Sequence, residues 1–229
     1  MNVGIGLPIG DPATLLTLAQ RADAGPFSTL GLLDRLVYAN PEPLVALAVL
    51  TGATSRIRVQ TEVLLAPLRD TALLARQAAT LDRMTGGRLW SGEPYGDGSG
   101  PIGPAPARPG RPEVLFDGFK PAAIERVARW GDGFLAAAPP SWAVCLFETA
   151  RRFWKEYERD GEPRIVAQVN VALGPDDVVH EAQADMHAYY TYTGMADRMV
   201  AGMLTTPAEI RDAIAGFTDL GADEVMLHC

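Results

Sequence analysis

Glu62 is the residue of this chain whose type least suits its surroundings. It stands in the run IRVQTEVLL at 57–65, whose apolar and β-branched residues predict a strand. A carboxylate in a helix-covered strand is expensive to bury without a partner. Either Glu62 faces an interior site as a general base with a raised pKa, or it pairs with Arg58 or Arg88, or it reaches solvent. A second carboxylate, Asp34, closes the run FSTLGLLDR at 27–35. At the end of a strand it could position a ligand, or cap the loop and pair with Arg35. Arg35 itself stays charged and cannot carry a proton. The third place is Asp117-Gly118-Phe119-Lys120, between an apolar run at 112–119 and a helix predicted from 121. A helix start offers unpaired N–H groups to an anion, Gly118 would let it approach, and Lys120 would add charge that Asp117 opposes. The plain alternative for Gly118 is a turn glycine.

Other chemistry is absent from the pattern. His180, His187 and His228 form no His-x-His pair and match no common metal-ligand spacing, so no metal site is expected. His228 ends the last predicted strand, where it reaches a barrel mouth or frays with the terminus. No Gly-x-Ser-x-Gly, Walker loop or Gly-x-Gly-x-x-Gly occurs. The cluster Tyr189-Tyr190-Thr191-Tyr192 reads as a core or oligomer contact.

The elements that must position these residues alternate. Strands are predicted at 2–9, 27–35, 57–65, 112–119, 133–138, 164–173 and 222–229, with helices after Asp11-Pro12, from Asn40-Pro41 to 53, over 70–84, 121–130 and 141–160, and in pieces over 175–220. Repeated βα units require a parallel sheet covered by helices. The rhythm breaks after Arg88-Leu89-Trp90 at the Gly- and Pro-rich stretch 91–112, which can hold neither a core strand nor a helix. That stretch reads as a surface loop within one domain spanning 1–229, because three βα units alone cannot close a parallel sheet.

Composition limits the partners. A net charge of -8, with no local Lys/Arg cluster, argues against nucleic acid and anionic membranes. No apolar stretch reaches the ~20 residues of a membrane span. Cys145 and Cys229 read as free thiols, and the early run lacks a secretory leader, so a cytoplasmic location is expected.

The segment EVLLAPLRDTALLARQAATLDRMTGGRL at 62–89 closely resembles the third βα unit of the luciferase-like, flavin- or F420-dependent monooxygenases and oxidoreductases. GIGLP at 4–8, NPEPLVALAVLTGATSRIRV at 40–59 and PEVLFDGFKPAAIERVARWGDGFLAA at 112–137 resemble the same family. The resemblance implies a TIM-barrel-like α/β fold and FMN or coenzyme F420 bound at the carboxyl ends of the strands. It implies cofactor contacts at Leu7, Thr61, Val63, Gly118, Phe119 and Lys120, catalytic candidates Asp34 and Glu62, and a small organic substrate. The chain departs from the family after Leu89, where Trp90-Ser91-Gly92-Glu93-Pro94 joins stretches that relatives separate by a fourth βα unit. About seven strands, an incomplete barrel and a homodimer with possible exchange of elements are therefore expected, since open strand edges invite pairing. Relatives also show Asp-His where this chain has Asp34-Arg35, and a Gly-Gly turn where it has Asp117-Gly118. An impaired flavin-binding or dimeric interaction protein derived from that family is the alternative to an active enzyme.

Overall fold

Apolar β-branched runs followed by proline- or carboxylate-capped helices build a parallel sheet in the computed structural model, which describes residues 1–7, 12–36, 40–90 and 113–229. The strands are β1 (Asn2–Gly6), β2 (Thr29–Leu32), β3 (Arg58–Thr61), β4 (Leu89–Trp90), β5 (Leu115–Asp117), β6 (Gly133–Ala137), β7 (Arg164–Asn170) and β8 (Glu224–His228). The helices are α1 (Pro12–Ala24), α2 (Pro43–Gly52), α3 (Thr71–Met84), α4 (Pro121–Trp130), α5 (Pro140–Glu156), α6 (Asp176–Tyr190), α7 (Ala196–Ala201) and α8 (Pro207–Asp219). All pairings are parallel, in the order β4-β3-β2-β1-β8-β7-β6-β5. The seven expected strands are thus present, and β4 is a stub of two residues. Among the described residues β4 and β5 are unpaired edges, which makes the TIM-barrel-like fold incomplete. The Gly- and Pro-rich stretch 91–112 and the expected cap Asp11 lie outside the described residues.

Two boundaries differ from expectation for local reasons. The second helix starts at Pro43, not at Asn40-Pro41: the proline holds Glu42 extended (φ -60°, ψ 123°), and the Glu42 carboxylate caps the N–H of Val45 at 2.7 Å. Strand β3 ends at Thr61, because residues 62–65 bend into a short 3₁₀ turn (Ala66–Leu68). Glu62 therefore sits just past the carboxyl end of β3. The third helix runs as expected, with Asp70 capping Leu73 at 2.8 Å, and Gly86 and Gly87 take positive φ (68° and 86°) to reverse the chain behind it.

Side chains divide by face. Leu30, Leu32, Val59 and Leu89 point to the helices and pack with Leu15, Leu47, Leu74 and Leu81. On the other half of the sheet Phe134, Ile165, Ala167 and Val225 pack with Ile124, Phe147 and Phe217, with Phe134 and Phe147 edge to face at 6.5 Å. Leu135, Val166 and Met226 form a small separate cluster on the opposite, inward face. At the amino ends of the strands Arg164 bonds Glu113 at 2.9 Å and also Glu224, whose other oxygen accepts from Ser28. That end of the sheet carries a buried polar layer whose charges are paired, with Thr29 Oγ1 unbonded beside it.

The entry to β3 rests on Asp23. Its carboxylate accepts from the backbone N–H groups of Ser55, Arg56 and Ile57 at 2.7–2.9 Å. Burial alone would raise its pKa, but these hydrogen bonds outweigh it and lower the value to about 2. A carboxylate held below its unfolded value stabilises the fold above that value, and loses the effect as pH falls toward about 2. Asp23→Ala should therefore cost about 1–3 kcal/mol in urea unfolding at pH 7, and an unchanged midpoint there would show that the loop holds without it.

Candidate active site

The carboxyl ends of β3, β2, β1 and β8 carry the unusual polar chemistry. Parallel register aligns His228, Gly6, Gly31 and Gln60 in one row across these four neighbouring strands. Two of the four positions lack a side chain. A Cβ on Gly31 would lie 2.5 Å from Cγ of Glu62, and a Cβ on Gly6 would lie 2.8 Å from Oε2 of Glu62 and would overlap Nδ1 of His228. Over these two bare strands the Glu62 carboxylate reaches His228, with Oε2 3.0 Å from Nδ1. The Glu62 side chain is 0% exposed and the His228 ring keeps 12%.

The pair is close but not saturated. Its geometry is that of an ion pair and not of an aligned hydrogen bond, so both Glu62 oxygens and Nδ1 of His228 are buried without a hydrogen-bond partner. Gln60, Thr61 Oγ1 and Gln168 Oε1 are likewise buried and unbonded. Burial disfavours the charged imidazole, yet the Glu62 carboxylate outweighs both burial and the opposing Arg35, and raises the His228 pKa above the ordinary histidine range. The Cys229 thiol is pushed up by burial and by Glu62, which keeps it neutral.

Asp34 belongs to a separate clamp beside this pair. Its Oδ2 accepts from Arg69 at 2.7 Å and from the N–H of Leu65 at 3.0 Å, and Arg69 also bonds Glu42 at 2.5 Å. Burial works against the Arg69 charge, but Asp34 and Glu42 overcompensate and raise its pKa. The network ties the end of β2 to the loop after β3 and to the start of α2. The Asp34 partner is thus Arg69, while Arg35 packs over the Tyr189 ring at 4.8 Å and Tyr189 meets Tyr190 edge to face at 4.7 Å.

The residues expected to touch a cofactor fall into two places. Leu7 is buried among the helix-side leucines, Thr61 is buried with a free hydroxyl oxygen, and the carbonyl of half-buried Val63 accepts from Asp34 N–H at 3.1 Å. Gly118, Phe119 and Lys120 follow β5. Gly118 has φ 150°, and a Cβ there would lie 2.5 Å from that of Ala123. Phe119 is exposed, and Lys120 precedes α4, which has no side-chain cap and no acid in its first turn. An uncapped helix start beside a lysine, together with unbonded polar atoms at the strand ends, fits a phosphate-bearing heteroaromatic cofactor. The sequence had suggested Glu62 and not its partner. The signal available was the spacing of Gly6 and Gly31, which leaves two adjacent strands bare at one level.

If the two glycines exist to admit Glu62, their cost must depend on it. Gly31→Ala should destabilise by about 1–3 kcal/mol through overpacking, and much of that loss should vanish in a Glu62→Ala background. Equal costs in both backgrounds, read by urea unfolding, would show that the glycine serves something else.

The luciferase-like monooxygenase family profile matches residues 2–93 and 89–215, two stretches that meet at 89–93. No curated protein sequence matches the chain. Solved structures agree in fold. An F420-dependent secondary alcohol dehydrogenase in complex with an F420-acetone adduct superposes with TM-score 0.83 at 15% identity, covering 99% of this chain and 92% of that one. The monooxygenase RslO1 from Streptomyces bottropensis gives 0.76 at 20% identity, covering 100% and 92%. The FMN-bound oxygenating constituent of 3,6-diketocamphane monooxygenase from Pseudomonas putida gives 0.78 at 13% identity, covering 99% and 91%. With a profile match over most of its length and a parallel α/β sheet of the same architecture, the chain belongs to the luciferase-like monooxygenase family, with a deletion at the fourth βα unit.

Proposed function

We propose that this chain is a flavin- or F420-dependent oxidoreductase acting on a small organic substrate at the carboxyl ends of its strands. The observation that carries this reading is the asymmetry of the sheet. Its amino end holds the paired Arg164, Glu113 and Glu224 and one unbonded hydroxyl, Thr29 Oγ1, whereas its carboxyl end gathers several buried, unbonded polar atoms around Glu62 and His228. Enzymes built on parallel barrels place their chemistry at that second end. FMN or F420, when bound, supplies the hydride-transfer or oxygen chemistry. The protein supplies position: Lys120 and the start of α4 would take a phosphate, Val63 would line the ring near Glu62, and Asp34 would hold the loop that carries it, while Thr61, in register with the helix-side Leu32, stands behind that row.

Titration of the pure protein with FMN and with F420, followed by absorbance and thermal unfolding, tests the reading. One of them should bind below about 100 μM, a free energy near -5.5 kcal/mol, and raise Tm as a ligand of the native state must. Binding of neither would favour the non-catalytic alternative.

The edges of β4 and β5, unpaired among the described residues, support a further part of the proposal, a homodimer in which a second copy covers these strands, and a cytoplasmic location is proposed with it. Analytical ultracentrifugation at micromolar concentration should then give a dimer, and a stable folded monomer would rule it out. No helix among the described residues is long and apolar enough to cross a membrane.

A further inference from the structure

We propose that His228 is the proton carrier of this site, with Glu62 behind it as the positioning residue. The arrangement is built rather than incidental, because it draws on four strands at once. His228 ends β8, Glu62 follows β3, and the intervening β1 and β2 each place a glycine where any side chain would collide with the pair. The ring is oriented by this. Nδ1 is fully buried and faces Glu62 Oε2 at 3.0 Å, so the 12% of the side chain that remains exposed lies elsewhere than on Nδ1. A carboxylate is negative and offers only acceptors, so at 3.0 Å it favours a proton on Nδ1 and leaves Nε2 to gain or lose one.

The surroundings suit a group that changes charge. Glu62 from β3 favours the imidazolium, Arg35 from the end of β2 and burial oppose it, β1 presents only Gly6, β7 presents the neutral Asn170, and the adjacent Cys229 thiol is held neutral. The net balance raises the pKa of the ring. In the forward direction Nε2–H gives its proton to an oxygen or nitrogen of the substrate as that atom gains electron density, and the ring becomes neutral. In reverse the neutral ring takes the proton back. The electron pair itself belongs to the flavin or deazaflavin, so the redox part of this role rests on the function proposed above, whereas the proton site does not.

Residue-resolved carbethoxylation of the full-length protein by diethyl pyrocarbonate tests it, since the reagent attacks only an accessible, neutral imidazole nitrogen. His228 should react in the native protein. Its rate should rise with pH through a midpoint above that of N-acetylhistidine measured alongside, and Glu62→Gln should move that midpoint down. An unreactive His228 while exposed His180 is modified, or a midpoint at or below that of N-acetylhistidine, overturns the proposal without any variant. A midpoint that Glu62→Gln leaves in place, in protein whose circular dichroism is native, also overturns it. Saturating FMN or F420 should protect His228 and leave His180 unprotected. Absorbance-verified binding with no protection overturns the assignment alone. If neither cofactor binds but His228 reacts as described, the redox reading falls and the proton site is supported.

Discussion

A fully buried carboxylate must be answered by a charge or a set of donors, and for Glu62 the answer comes from the other half of the sheet. Strand β8 brings His228 to the same level, but β1 and β2 lie between the two residues. Contact over two intervening strands spans three strand spacings, about 14 Å of sheet, which side chains bridge only if nothing rises from the strands beneath. Gly6 and Gly31 meet that condition at the same row. The register of four strands is therefore coupled to one ion pair. A slip of one residue in β1 or β2 would turn a helix-side apolar residue inward and a glycine outward.

The same coupling explains why the two ends of the sheet differ. At the amino end, Arg164 is surrounded by Glu113, Glu224 and Asp223, and although burial lowers its pKa the network leaves its charge paired. At the carboxyl end the donors and acceptors do not balance: Glu62 brings two acceptor oxygens and His228 one facing nitrogen, while the Gln60 amide and Oε1 of Gln168 find no partner. Unbalanced buried polarity costs stability, and folds retain it where it serves a ligand. The Asp34–Arg69–Glu42 clamp is the compensating element beside it, fixing the loop after β3 on which Glu62 sits.

Much of the architecture could be read from periodicity. The helix at α3, its Asp70 cap and its Gly86-Gly87 exit follow from local rules, and each βα unit could be placed from its own residues. The start of α2 was misplaced by three residues because two prolines compete there, and only the Glu42 cap decides between them. Arg58 or Arg88 stood as the candidate partners for Glu62 in the sequence. Arg88 instead bonds the carbonyls of Thr51, Ile57 and Thr85. Finding His228 requires the strand order, which places β8 beside β1, and no local pattern carries that information. Asp34 was legible as a strand-end carboxylate, but its partner Arg69 lies on the far side of the next strand and loop.

The deletion falls at the least damaging place for this arrangement. The two family matches meet at 89–93, beside the two-residue β4 at one edge of the sheet. Glu62 and His228 span β3, β2, β1 and β8, which lie inside both edges and keep continuous parallel pairing. Loss of a βα unit removes a wall from the barrel and leaves this row intact. What the described residues lack at that edge is enclosure by a further unit, and with it the exclusion of water that strengthens electrostatic interactions in a closed site. A pair buried by its own glycines is less exposed to that loss than one that relied on the missing strand for cover, because the Glu62 side chain has no exposed surface in the shortened fold.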